Sequence, residues 1–188
     1  MTSTARSYFE QIYRDSADPW GFETSPYEER KYAVTVASLP RPRYRSAYEP
    51  GCSIGVLTEL LATRCDHLLA SDIIPSVVQQ AEVRLRRAPH VSVQERSIPD
   101  QWPHGPFDLV VLSEIAYYFD EPELGCVIEC VMDSTVKGAH LVAVHWRGET
   151  DYPLTGDRTH QIIAETPGLF SMMHHSEEKY VLDIWERL

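Results

Sequence analysis

Basic residues are scarce in this 188-residue chain: 17 Lys and Arg stand against 28 Asp and Glu, a formal net charge of −11. A phosphate backbone needs clustered cations, so nucleic acid is excluded as a partner and a cationic or neutral small molecule is easier to accommodate. The two local clusters, Arg41, Arg43 and Arg45, and Arg84, Arg86 and Arg87, read as solvated loop and helix-end charges. Long apolar runs are missing as well. No stretch approaches the roughly 18 apolar residues of a membrane span, and no apolar core follows residues 1–6, so a protein off the membrane and in the cytoplasm is expected. Cysteine is sparse. Cys52, Cys65, Cys126 and Cys130 show no repeated ligand spacing, which predicts no metal site and buried, reduced thiols.

What is present centres on residues 48–62, Tyr48 to Ala62. This stretch predicts the end of a strand, a tight turn with Gly51 and Gly55, and an amphipathic helix carrying Ile54, Leu57, Leu60 and Leu61 at helical spacing. Glycines without a Cβ let a ligand approach bare backbone. A second apolar run ends in Asp72, about 20 residues after the turn, where a carboxylate chelates ribose hydroxyls. Glu49, at the mouth of the turn, repels a pyrophosphate and suits an ammonium. The charge therefore favours S-adenosyl-L-methionine over a dinucleotide.

Around this centre, a first helix is expected over 4–15 and a second over 25–39, with Ser25, Pro26 and Glu28 forming a capping box. The loop between them, Asp18-Pro19-Trp20-Gly21-Phe22, places two aromatics either as plugs on the core or as a lid over a ligand. Arg30 or Lys31, in the second helix, either pairs a cofactor carboxylate or is solvated at the surface. Strands are predicted at 44–49, 67–72, 91–95, 107–113 and 139–146, and helices at 54–64, 75–87 and 121–136, the last closed by Gly138. That alternation implies an α/β protein with a parallel sheet. Asp157 caps a short helix to about 165, and residues 170–174 and 180–185 form a terminal hairpin with one strand antiparallel to the rest.

Glu49-x-Gly51-x-x-x-Gly55, Asp72, residues 107–111 (Phe-Asp-Leu-Val-Val) and the hairpin together resemble class I S-adenosylmethionine-dependent methyltransferases. More narrowly, Asp18-Pro19-Trp20, Tyr27-Glu28, Lys31-Tyr32, residues 113–118, His145-Trp146-Arg147 and residues 151–157 resemble the nodulation protein S group of N-methyltransferases, which act on a deacetylated amino sugar of chitin oligosaccharides. The resemblance implies a Rossmann-like fold, a mostly parallel seven-stranded sheet with an antiparallel C-terminal strand and helices on both faces. At 188 residues one domain over 1–188 is expected, with a helical lid segment at 1–42 and the Rossmann-like core at 43–188. The resemblance also implies that Glu49 holds the methionine amino group, that Gly51, Cys52 and Gly55 line the methionine portion, and that Asp72 takes the ribose. Ile73 then covers adenine, Ser97 and Ile98 touch its edge, and Ser113 backbone lies on the sulfonium side; Trp20 from the loop and Arg30 from the second helix, read from their own positions, complete the expected cofactor set.

Methyl transfer to an amine needs no metal, but the amine must lose a proton. His145 is the first candidate to take it, the alternative being a buried histidine bonded to backbone. Glu114 either fixes the substrate ammonium or is a helix-start carboxylate. Tyr117 and Asp151 complete the acceptor-side set, and His160 stays possible. The expected activity is N-methylation of a small polar amine, such as an amino sugar or oligosaccharide, by a monomer or weak homodimer. Hydroxyl methylation, a cofactor-binding module without catalysis and a nicotinamide oxidoreductase are the alternatives.

Overall fold

The computed structural model describes residues 2–188, which form two compact units, Ala5–Arg96 and residues 2–4 with Ser97–Leu188. In the first unit two helices, α1 (Arg6–Asp15) and α2 (Pro26–Ser38), precede β1 (Tyr44–Pro50), α3 (Val56–Ala62), β2 (Cys65–Asp72), α4 (Pro75–Leu85) and β3 (Val91–Glu95). The three strands run parallel in the order β3-β2-β1, with Glu49 beside Ala70 and Asp72 beside Glu95. Parallel strands covered by helices read as apolar runs. Tyr44, Tyr48, Leu68 and Ala70 are buried in this way.

The start of α2 departs from the expected capping box. Ser25 caps it by accepting the Glu28 amide at 3.5 Å, but the Ser25 amide already donates to the Gly21 carbonyl. The Glu28 carboxylate, relieved of that duty, binds Lys31 Nζ at 2.8 and 3.0 Å. The link after α2 is held by Arg64, whose guanidinium donates to the carbonyls of Val36 (2.8 Å), Pro42 (2.8 Å), Leu39 (3.3 Å) and Arg41. The nearby cations are also paired: Arg43 binds Asp66, and Arg84 binds Glu23 and Glu59 and donates to the Ile54 carbonyl.

The second unit holds β4 (Phe107–Ser113), a 3-10 turn (Ala116–Tyr118), α5 (Glu121–Ser134), β5 (Thr135–Trp146), α6 (Gly156–Ala164), β6 (Leu169–Ser176) and β7 (Tyr180–Arg187). β4 and β5 are parallel, and β7 lies antiparallel between β5 and β6. The terminal hairpin is therefore present, with its antiparallel member inside the sheet rather than at its edge. Leu109, Val110, Val111, Val142, Ala143 and Val144 are fully buried.

Two expected caps are corrected. Helix α5 ends at Ser134, and Gly138 (φ +76°) lies inside β5, where the register advances two residues on β4 against five on β5. The glycine serves a strand irregularity, another place where left-handed backbone is needed. Thr155, not Asp157, caps α6 by accepting the Arg158 amide, and Asp157 binds Arg147 at 2.8 Å. Among the described residues no helix is long and apolar enough to cross a membrane, and no group of three or more potential ligands is placed to hold a metal ion.

Candidate functional site

In the first unit the site is the turn between β1 and α3. Gly51 (φ +70°), Ser53 (φ +48°) and Gly55 (φ +81°) put three left-handed residues within five positions. At Ser53 that geometry is rare for a residue with a side chain. It is held from two sides. The Ser53 amide donates to Asp72 Oδ2 at 3.0 Å, and its hydroxyl lies 2.6 Å from the Tyr13 hydroxyl on α1. The Cys52 amide donates to the Ser71 carbonyl at 2.9 Å, tying the turn to the end of β2.

Glu49 is 2% exposed, and its Oε2 is buried without a hydrogen-bond partner among the described residues. Burial pushes its pKa up to about 8, against the pull of the Thr58 hydroxyl. An unpartnered buried carboxylate oxygen is costly, and it fits a cation that arrives with its own N–H donors. Asp72 is also buried. Its pKa rises to about 6 through burial, opposed by the amides of Ile74 (3.0 Å to Oδ1), Ser53 and Ile73. The carboxylate has about four lone-pair sites, more than these three amides use, so it can also accept from a ribose hydroxyl. The two acids can therefore hold an ammonium and a ribose.

The remaining residues of the turn divide. Gly55 does not open the backbone to a ligand: an added Cβ would stand 3.1 Å from Ala81 Cβ, so the glycine makes room for α4. The Cys52 side chain packs with Ala70, Ala81 and Leu85, and burial pushes its thiol pKa up; only its backbone belongs to the turn. Ile73 joins Phe9, Tyr13, Phe22 and Val56 around the buried Ile54, Ile74 and Val77. Trp20 meets Tyr13 edge-on at 5.4 Å and stacks on Phe22 at 5.5 Å. Asp18 accepts the Phe22 and Glu23 amides and so shapes this loop. Phe22 is thus the plug, and Trp20 sits one ring further out. On α2, where Arg30 or Lys31 was expected either to pair a cofactor carboxylate or to be solvated, Arg30 is exposed. Lys31 is 1% exposed, paired with Glu28 and near the rings of Tyr27 and Tyr32.

In the second unit, Ser97 and Ile98 are half-buried, and the Ser97 amide donates to Gln101 Oε1 at 2.8 Å. Ser113 ends β4 beside Val144, and Glu114 follows with φ +54°. Left-handed backbone at a glutamate costs about 1–3 kcal/mol and persists only where its surroundings over-determine it. Here they do. The Glu114 amide donates to the Val144 carbonyl at 2.9 Å, and its Oε2 accepts from the Tyr117 hydroxyl at 2.6 Å and the Trp146 amide at 2.9 Å. The Tyr117 ring stacks on Tyr152 at 5.1 Å, Tyr118 meets Tyr152 edge-on at 4.6 Å, and burial pushes both the Tyr117 and Tyr118 hydroxyl pKa values well up.

His145 is wholly buried. Its Nε2 accepts the Ala116 amide at 3.1 Å, and its Nδ1 meets His160 Nε2 at 2.9 Å. With both nitrogens occupied it corresponds to the backbone-bonded alternative, not to a base open to substrate. The structure brings Glu114, Tyr117 and His145 together and leaves Asp151 in an exposed loop segment. Ser53, Tyr13 and Asp183 escaped the sequence reading, which kept His160 as possible. Asp183 had a signal, a lone carboxylate within the apolar run Val181 to Trp185.

The fold has close counterparts among solved structures. A Pseudomonas syringae protein classed with the methyltransferases is 41% identical, with TM-score 0.77 over 86% of this chain and 99% of its own. The NodS N-methyltransferase of Bradyrhizobium japonicum, solved with S-adenosyl-L-homocysteine, gives TM-score 0.85 at 23% identity, over 95% of this chain and 97% of its own. The chain therefore has the Rossmann-like fold of the methyltransferases, with seven strands, mostly parallel, and an antiparallel strand near the C-terminus. Residues 8–142 match the family model of nodulation protein S, and the chain belongs to the NodS family. Nodulation protein S of Rhizobium tropici is 29% identical over 127 residues, 66% of this chain and 53% of the relative. The chain spans about half the length of the curated relatives it matches.

Proposed function

We propose that the chain transfers the methyl group of S-adenosyl-L-methionine to an amine on a small polar acceptor, such as a deacetylated amino sugar. The observation that carries this reading is the buried, unpartnered Oε2 of Glu49 at the mouth of a strained turn whose other anchor is Asp72. When bound, the cofactor supplies an electrophilic methyl group on a sulfonium, which needs no metal to leave. Glu49 takes the ammonium, Asp72 the ribose hydroxyls, and the backbone around Gly51 and Cys52 the methionine chain. Glu114, held by Tyr117 and Trp146, takes the proton that an ammonium substrate must lose. The rings of Tyr117, Tyr118 and Tyr152 beside it suit the apolar face of a sugar.

The test is incubation with methyl-labelled S-adenosylmethionine and a panel of amino sugars, alkyl amines and alcohols. Labelled amine together with S-adenosylhomocysteine is the expected result. Label in alcohols alone makes the enzyme an O-methyltransferase, and cofactor binding with no labelled product makes it a binding module.

Two residues separate the parts of this reading. Asp72→Ala is expected to weaken S-adenosylhomocysteine binding by about 2 kcal/mol, roughly 30-fold, as loss of a charged hydrogen-bonding partner does. It should also lower the melting temperature, since the Ser53 and Ile74 amides lose their acceptor. Calorimetry showing unchanged affinity removes Asp72 from the site. Trp20→Ala is expected to raise the dissociation constant about fivefold, the ~1 kcal/mol of an aromatic contact, with little change in melting. Phe22→Ala is expected to lower the melting temperature instead, because Phe22 packs against the Ile54–Ile74–Val77 cluster.

A further inference from the structure

Behind Glu114 lies a second set of buried polar groups with no substrate-facing part in the reaction proposed above. His145, His160 and Asp183 are 0%, 5% and 6% exposed, and they come from β5, α6 and β7. His145 Nδ1 lies 2.9 Å from His160 Nε2, and His160 Nδ1 lies 2.5 Å from Asp183 Oδ2. The other oxygen, Oδ1, lies 2.7 Å from Nδ1 of His174, a residue on β6 whose side chain is 65% exposed. The inner end of this chain is a backbone amide, and that fixes its direction.

The Ala116 N–H can only donate, so His145 Nε2 accepts and carries no proton. A neutral His145 then bears its proton on Nδ1 and donates it to His160 Nε2. His160 in turn bears its proton on Nδ1 and donates it to the Asp183 carboxylate. Which nitrogen of an imidazole is protonated follows from the bond the other nitrogen makes, so the amide at one end and the carboxylate at the other favour the same two tautomers. Without Asp183 or His160 the Ala116 amide alone favours the His145 tautomer that accepts from it, and the far end of the chain no longer supports that tautomer. Ala116 follows Glu114 by two residues and opens the turn that carries Tyr117, the donor to Glu114 Oε2.

We infer that Asp183, His160 and His145 are positioning residues: a buried chain that locks the tautomer of His145 and so holds the strained Glu114–Tyr117 turn in the geometry that meets the methyl acceptor. The inference rests on the placement of Glu114 at the acceptor, and its first test does not. In wild-type protein labelled with 15N at histidine, long-range proton–nitrogen spectra at neutral pH are expected to show His145 and His160 both protonated at Nδ1 and bare at Nε2. A proton on Nε2 of either overturns the chain.

The second test compares His160→Leu with His160→Gln, whose amide can accept from His145 and donate to Asp183. In the leucine variant the Ala116 amide is expected to exchange with solvent at least about tenfold faster, as loss of one hydrogen bond implies. Turnover number with an amine found in the panel is expected to fall by a similar factor, while affinity for S-adenosylhomocysteine stays within about twofold because no cofactor contact changes. The glutamine variant is expected to keep exchange and turnover near wild type. A folded leucine variant with wild-type Ala116 exchange or full turnover overturns the role, as does a glutamine variant as impaired as leucine. If the leucine variant does not fold, the wild-type spectra and the glutamine variant decide. If no amine turns over in wild type, the methyltransferase reading fails, and the spectra and exchange rates still decide the chain.

Discussion

Glu49→Gln is expected to weaken S-adenosylhomocysteine binding at least roughly 30-fold, the low end of the cost of removing one member of a buried, hydrogen-bonded charge pair. The same substitution is expected to change how stability of the ligand-free protein depends on pH. Burial raises the Glu49 pKa from 4.5 to about 8. Between those values the folded chain keeps a proton that the unfolded chain has released, so stability falls as pH rises from about 4.5, and the loss is complete above about 8. Asp72 adds a slope of the same sign, from 3.8 to about 6, which the variant retains. Urea denaturation at pH 5, 6.5 and 8 is expected to give wild type a decline on the order of a few kcal/mol and Glu49→Gln a nearly flat curve above pH 6. A variant as steep as wild type between pH 6 and 8 places the titrating group elsewhere. The glutamine is isosteric, so the comparison isolates the charge from the packing.

Glu114→Gln is the second large effect. Turnover is expected to fall about 10²- to 10⁴-fold, the range a positioned proton acceptor supplies, with cofactor affinity little changed. Glutamine preserves the scaffold, because its amide oxygen can accept from both the Tyr117 hydroxyl and the Trp146 amide, the two donors that meet Oε2. The loss is expected to shrink as pH approaches the pKa of the amine substrate, where the nucleophile arrives already deprotonated. Turnover that is unaffected, or reduced by the same factor at every pH, assigns the proton to another group.

The frame of the protein was legible because period and punctuation agree. Apolar runs separated by Pro and Gly located six of the seven strands within a few residues, and Asp72 and Glu49 stood out as carboxylates at strand ends. Strand β5 was read too short, since its first residues, Thr135 to Gly138, look like the tail of α5; only the pairing of Thr135 with Phe107 on β4 shows where the strand begins. Gly55 was legible as a glycine with a purpose but not as to which purpose, since contact with Ala81, 26 positions on, is a tertiary fact. The same limit applies to His145. A histidine ending a strand suggests proton transfer, and only its neighbours Ala116 and His160 show that both nitrogens are engaged. Lys31 is the plainest reversal: a lysine beside an arginine on a polar helix looks solvated, yet its i,i+3 partner Glu28 lets the structure bury it.

A proton count most directly tests whether the ammonium group of the nucleoside is held by Glu49. Calorimetric titration with S-adenosylhomocysteine at pH 7, repeated in buffers of different ionisation enthalpy, measures the protons exchanged on binding. Because ligand-free Glu49 titrates at about 8 and an ammonium stabilises its carboxylate, binding is expected to release close to one proton in wild type and close to none in Glu49→Gln. Tight binding of S-adenosylhomocysteine with no proton released by wild type contradicts the account.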